Sequence, residues 1–128
     1  MNESPKKILV VDDEPDTVTF LAAFLQDNGF EVTSAYDGKQ CVIKAKEEQP
    51  DLITLDITMP EESGVRAFRN IRETEETRDI PVIIITGVAK DFKKFIHTRK
   101  HIQPPAAYME KPIDQSELLV KINKILGV

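Results

Sequence analysis

Short apolar runs recur along the chain, and they stop at polar residues of particular kinds. Ile8, Leu9, Val10 and Val11 end at Asp12 and Asp13; Leu52, Ile53, Thr54 and Leu55 end at Asp56, before Pro60 breaks the pattern. Val82, Ile83, Ile84 and Ile85 end at Thr86 and Gly87, and a shorter run from Ala106 to Glu110 ends at Lys111 and Pro112. Runs of this length without alternation predict strands covered on both faces, as in a parallel sheet. Glu31 to Ala35 alternates polar and apolar residues more strongly, which suits an edge strand with one wetter face.

Helical spacing fills the intervals. Pro15 opens a pattern carried by Val18, Leu21, Ala22 and Leu25 and stopped by Asn28 and Gly29. Asp37 and Gly38 turn the chain into a second helix from Lys39 to Glu48, with Val42 and Ala45 inward. Pro60 to Gly64 is expected as a loop before a third helix that buries Val65, Phe68, Ile71 and the aliphatic stem of Arg72. The charged stretch from Arg72 to Asp79 is expected to be solvated. A fourth, weaker helical pattern runs from Ala89 to Lys100, and Pro104 and Pro105 then force a stiff connection. The last helix is capped by Asp114 with Glu117 three residues on, carries an apolar stripe of Leu118, Ile122, Ile125 and Leu126, and ends at Gly127. Five strands alternating with five helices predict a doubly wound α/β fold, (βα)5, and right-handed crossovers with an early polar edge strand favour a parallel sheet of order 2-1-3-4-5.

At 128 residues the chain is expected to form one domain, residues 1–128. A net charge of −5 argues against general nucleic-acid binding, and no apolar segment approaches the roughly 20 residues that span a bilayer, so a cytoplasmic protein without membrane insertion is expected. Cys41 is the single cysteine and is expected to be a packed thiol.

Parallel strands would bring Asp12, Asp13, Asp56, Thr86 and Lys111 to one sheet edge, the edge at which open α/β sheets bind ligands. Three crowded carboxylates repel unless a cation neutralises them, and an all-oxygen set suits magnesium or another hard divalent ion. With the cation in place, Asp56 becomes a usable nucleophile. An acyl phosphate on it would need a metal, an ammonium and neutral donors around its oxygens, roles that Mg2+, Lys111 and Thr86 fit.

The segments Ile8 to Glu14, Asp51 to Pro60 with Gly64, Ile80 to Gly87, and Tyr108 to Pro112 together resemble a response-regulator receiver domain of two-component phosphorelays. The resemblance covers nearly the whole chain and implies a flavodoxin-like domain. It further implies that Asp56 accepts a phosphoryl group from a sensor histidine kinase or phosphotransfer protein. Asp13, Asp56 and the backbone carbonyl of Thr58 would be magnesium ligands, with Asp12 acting mainly through water. Thr86 and Tyr108 match the switch pair of the family, and Lys111 matches its phosphate-binding lysine. The output would be a downstream protein target, or a second copy of the domain, on the face of the fourth helix, fifth strand and fifth helix.

Two departures bear on that reading. The stretch between Thr86 and Tyr108 is long, carries Pro104-Pro105 where a Gly-Ala turn is common, and is basic through Lys90, Lys93, Lys94, Arg99 and Lys100, with His97 and His101 interleaved. A solvated surface accounts for such a run; docking of an acidic partner is the sharper alternative. At the two positions associated in this family with water attack stand Thr58 and Val88, neither an acid nor an amide, so slow self-dephosphorylation is expected. Two other classes stay open: a magnesium-dependent phosphatase with an aspartyl nucleophile, which would want a second acid where Thr58 stands, and a degenerate receiver that only docks. Without such an acid, no independent enzymatic turnover is expected.

Overall fold

The computed structural model describes residues 4–88, 90–91 and 103–128. The helix expected over Ala89 to Lys100 lies outside them except for Lys90 and Asp91, as do Lys93, Lys94, His97, Arg99, Lys100 and His101.

The described residues form five strands: β1 (Lys7–Val11), β2 (Glu31–Ala35), β3 (Leu52–Asp56), β4 (Val82–Thr86) and β5 (Ala107–Glu110). All neighbours are parallel, in the order β2-β1-β3-β4-β5. The described residues hold four α-helices: α1 (Pro15–Asp27), α2 (Gly38–Glu48), α3 (Ser63–Glu73) and α4 (Gln115–Leu126). Every residue of β3 and β4 is buried, whereas β2, at the sheet edge as expected, passes from exposed Glu31 through three half-buried residues to buried Ala35 and does not alternate in burial.

The sheet separates two apolar layers. Val18, Leu21 and Leu25 of α1 and Leu118 and Ile122 of α4 cover one face, against Ile8, Val10, Ile83 and Ile85. Cys41 and Ala45 of α2 and Phe68 and Ile71 of α3 cover the other, against Leu9, Val11, Ile53 and Ile84. Alternate residues of each central strand thus feed opposite layers, which holds the register and fixes where each strand ends. Burial pushes the Cys41 thiol up to about 12, with a further push from Asp37, so it packs as a neutral side chain. Asp114 caps α4 by accepting from the Glu117 N–H, and Gly127 closes it at φ 72°.

Three local expectations are corrected. Pro60–Glu62 is a 3-10 turn rather than open loop, with Glu61 in the left-handed region, and α3 begins at Ser63. The strand expected from Ala106 starts at Ala107. The stretch from Arg72 to Asp79 is not simply solvated, because Arg72 near the end of α3 is buried together with its guanidinium and Thr77 is fully buried. Arg72 donates to the carbonyls of Ile80 (2.7 Å), Gln103 (2.8 Å) and Arg78 (3.1 Å) and lies 4.9 Å over the Phe68 ring. Burial lowers its pKa to about 10 against the opposing pull of Asp79, which leaves it charged at neutral pH. A planar five-donor group can pair with several carbonyls at once, so Arg72 ties the end of α3 to the Gln103–Pro104 backbone leading into β5.

Candidate functional site

The carboxyl ends of β1, β3 and β4 lie side by side because the register pairs Val11 with Leu55 and Asp56 with Ile85. The residue following β1, Asp12, and the last residue of β3, Asp56, are each about 2 % exposed. Asp13 next to them is exposed. Carboxylate oxygens of Asp12, Asp13 and Asp56 lie within 4.8 Å of one another. Such an all-oxygen acidic group has the donor chemistry of a hard divalent cation.

Lys111, just past β5, brings its ammonium to 3.3 Å from both Asp12 Oδ2 and Asp56 Oδ2. Its backbone N–H donates to the Thr86 carbonyl at 2.8 Å, which anchors it to the end of β4. Burial disfavours the ammonium, but the charges of Asp56 and Asp12 outweigh it and raise the Lys111 pKa. Asp12 is shifted up chiefly by burial and also by the charge of Asp56, against the Glu14 N–H it accepts from and against Lys111. The other oxygen of Asp56, Oδ1, accepts from the Thr58 N–H at 2.9 Å and from the Thr58 hydroxyl at 2.6 Å.

Close helix packing locks this end of β3. A Cβ at Gly64 would stand 2.6 Å from the Asp56 carbonyl oxygen and 2.8 Å from the Ile57 Cα, so only glycine lets the first turn of α3 rest there. The Gly38 N–H donates to the Ser63 hydroxyl at 2.8 Å, joining α2 to the same turn.

Thr86, fully buried at the end of β4, directs its hydroxyl elsewhere: Oγ1 donates to Asp91 Oδ2 at 3.3 Å and accepts from the Val88 N–H at 3.2 Å. Tyr108 pairs with Ile84 across β4 and β5, is half-buried, and packs against the α2–α3 layer; burial raises its pKa. The chain therefore brings Asp12, Asp13, Asp56 and Lys111 into one cluster, and sets Thr86 and Tyr108 on the adjoining strands. Asp91 went unrecognised in the sequence because an acid five residues past a strand matches no periodic pattern. The sequence marks only the stem of Arg72, since nothing in it signals three carbonyls converging on the head.

The family model for the response regulator receiver domain matches residues 8–123. Protein PilH of Pseudomonas aeruginosa is 38 % identical over 94 % of this chain and 98 % of its own length. The alkaline phosphatase synthesis transcriptional regulatory protein PhoP of Bacillus subtilis is 34 % identical over 94 % of the chain, which spans only 48 % of that regulator. Among solved structures, the receiver domain of a sensor histidine kinase from Pseudomonas aeruginosa, with a magnesium ion coordinated in its active-site cleft, superposes with a TM-score of 0.84 at 30 % identity. That match covers 97 % of this chain and 99 % of the other. The chemotaxis response regulator CheY4 of Vibrio cholerae gives 0.81 at 25 % identity, over 95 % and 99 %. The acidic strand-end cluster, the lysine beside it, the 2-1-3-4-5 sheet and these likenesses agree, and the chain belongs to the response-regulator receiver domain family.

Proposed function

We propose that this receiver domain is a phosphoacceptor switch in a two-component phosphorelay and that Asp56 carries the phosphoryl group. The observation that carries the reading is a buried carboxylate at the sheet edge, with one oxygen held by Thr58 and the other facing the Lys111 ammonium, beside two further carboxylates. In the reaction, an Asp56 oxygen forms a bond to phosphorus as the P–N bond of a phosphohistidine breaks. The departing imidazole keeps the electron pair and takes up a proton from solvent.

The donor set of Asp12, Asp13 and Asp56 fits Mg2+. As the family resemblance implies, Asp13, Asp56 and the Thr58 carbonyl would hold the ion directly and Asp12 mainly through water. When bound, the ion supplies positive charge to phosphoryl oxygens during transfer. The remaining work belongs to the chain. Lys111 screens the Asp56 charge before transfer and can pair with a phosphoryl oxygen after it. Thr58 fixes the carboxylate plane through two bonds to Oδ1. Phosphorylation replaces the single carboxylate charge of Asp56 with a group carrying about 1.5 to 2 negative charges and three acceptor oxygens set further out, which can draw the Thr86 hydroxyl and shift Tyr108 on the neighbouring strand. The change would be read by a downstream protein, or by a second copy of the domain, on the side of β5 and α4, in the cytoplasm. The domain promotes its own phosphorylation and slow dephosphorylation without turning over an independent substrate.

The test supplies magnesium and a small acyl phosphate, then follows intact mass and released phosphate. One stable phosphoryl adduct, lost in Asp56→Ala, supports the switch. Continuous hydrolysis of phosphomonoesters would make the domain an enzyme, and absence of any adduct would make it a docking module.

A further inference from the structure

We propose that Asp91 is a brake on the switch: its carboxylate holds the Thr86 hydroxyl in a resting position and competes with the phosphorylated Asp56 for the single hydroxyl proton. The inference rests on the reading of Asp56 as phosphoacceptor and adds a residue to it. Thr86 is fully buried, and its Oγ1 donates to Asp91 Oδ2 at 3.3 Å. One lone pair of Oγ1 is already taken by the Val88 N–H at 3.2 Å. The Asp91 N–H in turn donates to the Val88 carbonyl at 2.9 Å, a tight turn that folds the carboxylate back over the end of β4.

A hydroxyl has one proton to give. While Asp91 receives it, no phosphoryl oxygen on the adjoining strand can. The register pairs Asp56 with Ile85, one residue before Thr86, so the two acceptors approach the same side chain from neighbouring positions. A phosphoryl group carrying nearly two charges is the stronger acceptor and wins once formed. Asp91 is only half-buried, so water can take over its carboxylate when the hydroxyl leaves. Phosphorylation must therefore break an ionic hydrogen bond before Thr86 can engage, and that bond sets the threshold of the switch. Asp91 acts through Thr86 and is a positioning residue.

The experiment titrates the full chain, in excess magnesium, with beryllofluoride, a tetrahedral stand-in for a phosphoryl group on a carboxylate, and reads affinity by calorimetry. The bond is long and its acceptor half-exposed, so Asp91→Ala is expected to tighten beryllofluoride binding about fivefold, less than a well-formed hydrogen bond to a charged group contributes. Asp91→Asn, which keeps an acceptor oxygen without the charge, falls between. In a Thr86→Ala background the gain from Asp91→Ala disappears, an outcome that general loosening of the turn would not produce. Equal affinity of Asp91→Ala and the parent chain, or an undiminished gain without the Thr86 hydroxyl, overturns the brake while leaving the phosphoacceptor reading intact. Failure of the parent chain to bind beryllofluoride in an Asp56-dependent way overturns both.

Discussion

Replacing Asp12 by Asn should stabilise the metal-free domain and weaken its response to magnesium. The Asp12 carboxylate lies within 4.8 Å of those of Asp13 and Asp56. At that spacing a pair repels by about 3.5 kcal/mol at an effective dielectric of 20 and by about 0.9 kcal/mol in water, the latter nearer the truth for exposed Asp13. The Lys111 ammonium at 3.3 Å returns about 5 kcal/mol at the same effective dielectric. Attraction and repulsion therefore nearly cancel, and the desolvation of a buried charge decides the sign. That balance agrees with the upward shift of the Asp12 pKa, whose leading cause is burial.

Asparagine keeps the oxygen that accepts from the Glu14 N–H, so the start of α1 keeps its bond. A net gain of about 1 kcal/mol follows, or about 4 °C in melting temperature for a domain of this size. The pH dependence has a definite sign. Because the folded-state pKa is raised, the native state holds the Asp12 proton more tightly than the unfolded chain, and this group's stabilising contribution is lost as pH rises through the folded value. The advantage of Asp12→Asn should grow as pH rises through the raised folded-state value and vanish once pH falls below the ordinary carboxylate range near 4. Magnesium should raise the parent melting temperature by more than that of the variant. Thermal melts with chelator and with magnesium, at several pH values, decide the matter. A variant that melts below the parent in chelator at neutral pH, or an equal magnesium increment in both, would refute the reasoning.

Arg72→Lys should lower stability by about 2 to 3 kcal/mol, because one ammonium cannot replace the fork that reaches the carbonyls of Ile80, Arg78 and Gln103. A denaturant midpoint lowered at constant slope is the expected signature, and an unchanged midpoint argues against the clamp. Thr54, buried in β3, has a hydroxyl with no hydrogen-bond partner among the described residues, so the near-isosteric Thr54→Val should stabilise by about 1 kcal/mol in the same assay. Loss of stability in that variant would mean that the hydroxyl is satisfied. The phosphoryl group should persist for minutes or longer once donor is removed, since Thr58 and Val88 offer neither an acid nor an amide to orient attacking water. Decay within seconds, followed by intact mass without any phosphatase, would contradict this.

Most of the frame was legible in the sequence because the same physical pattern is repeated in it. Buried parallel strands cannot alternate, so Ile8–Val11 and Val82–Ile85 announce themselves, and their polar ends mark the sheet edge along which Asp12, Asp56 and Thr86 lie. Helix ends marked by Asp37, Asp114 and Gly127 were equally plain, since capping is local chemistry. Pairings of high sequence separation were not legible. The guanidinium of Arg72 meets a carbonyl 31 residues away, and nothing near it in sequence distinguishes it from a solvated arginine. Asp91 escaped for a different reason: its role depends on a turn that returns it to Thr86, and an acid in a charged stretch carries no mark of that geometry. The fold thus followed from periodicity and the cluster from strand ends, whereas the residues that restrain the site depend on tertiary contacts.

The account turns on Asp56, and trapping the modified residue chemically tests it most directly. The full chain, treated with magnesium and a small acyl phosphate, is reduced with borohydride, which converts an aspartyl phosphate to homoserine, then digested and mapped by mass spectrometry. The account predicts homoserine at position 56, dependent on the phosphate donor and on magnesium. Trapping at Asp12 or Asp13 instead, or no trapped residue in a chain that carries a phosphoryl group, would contradict it.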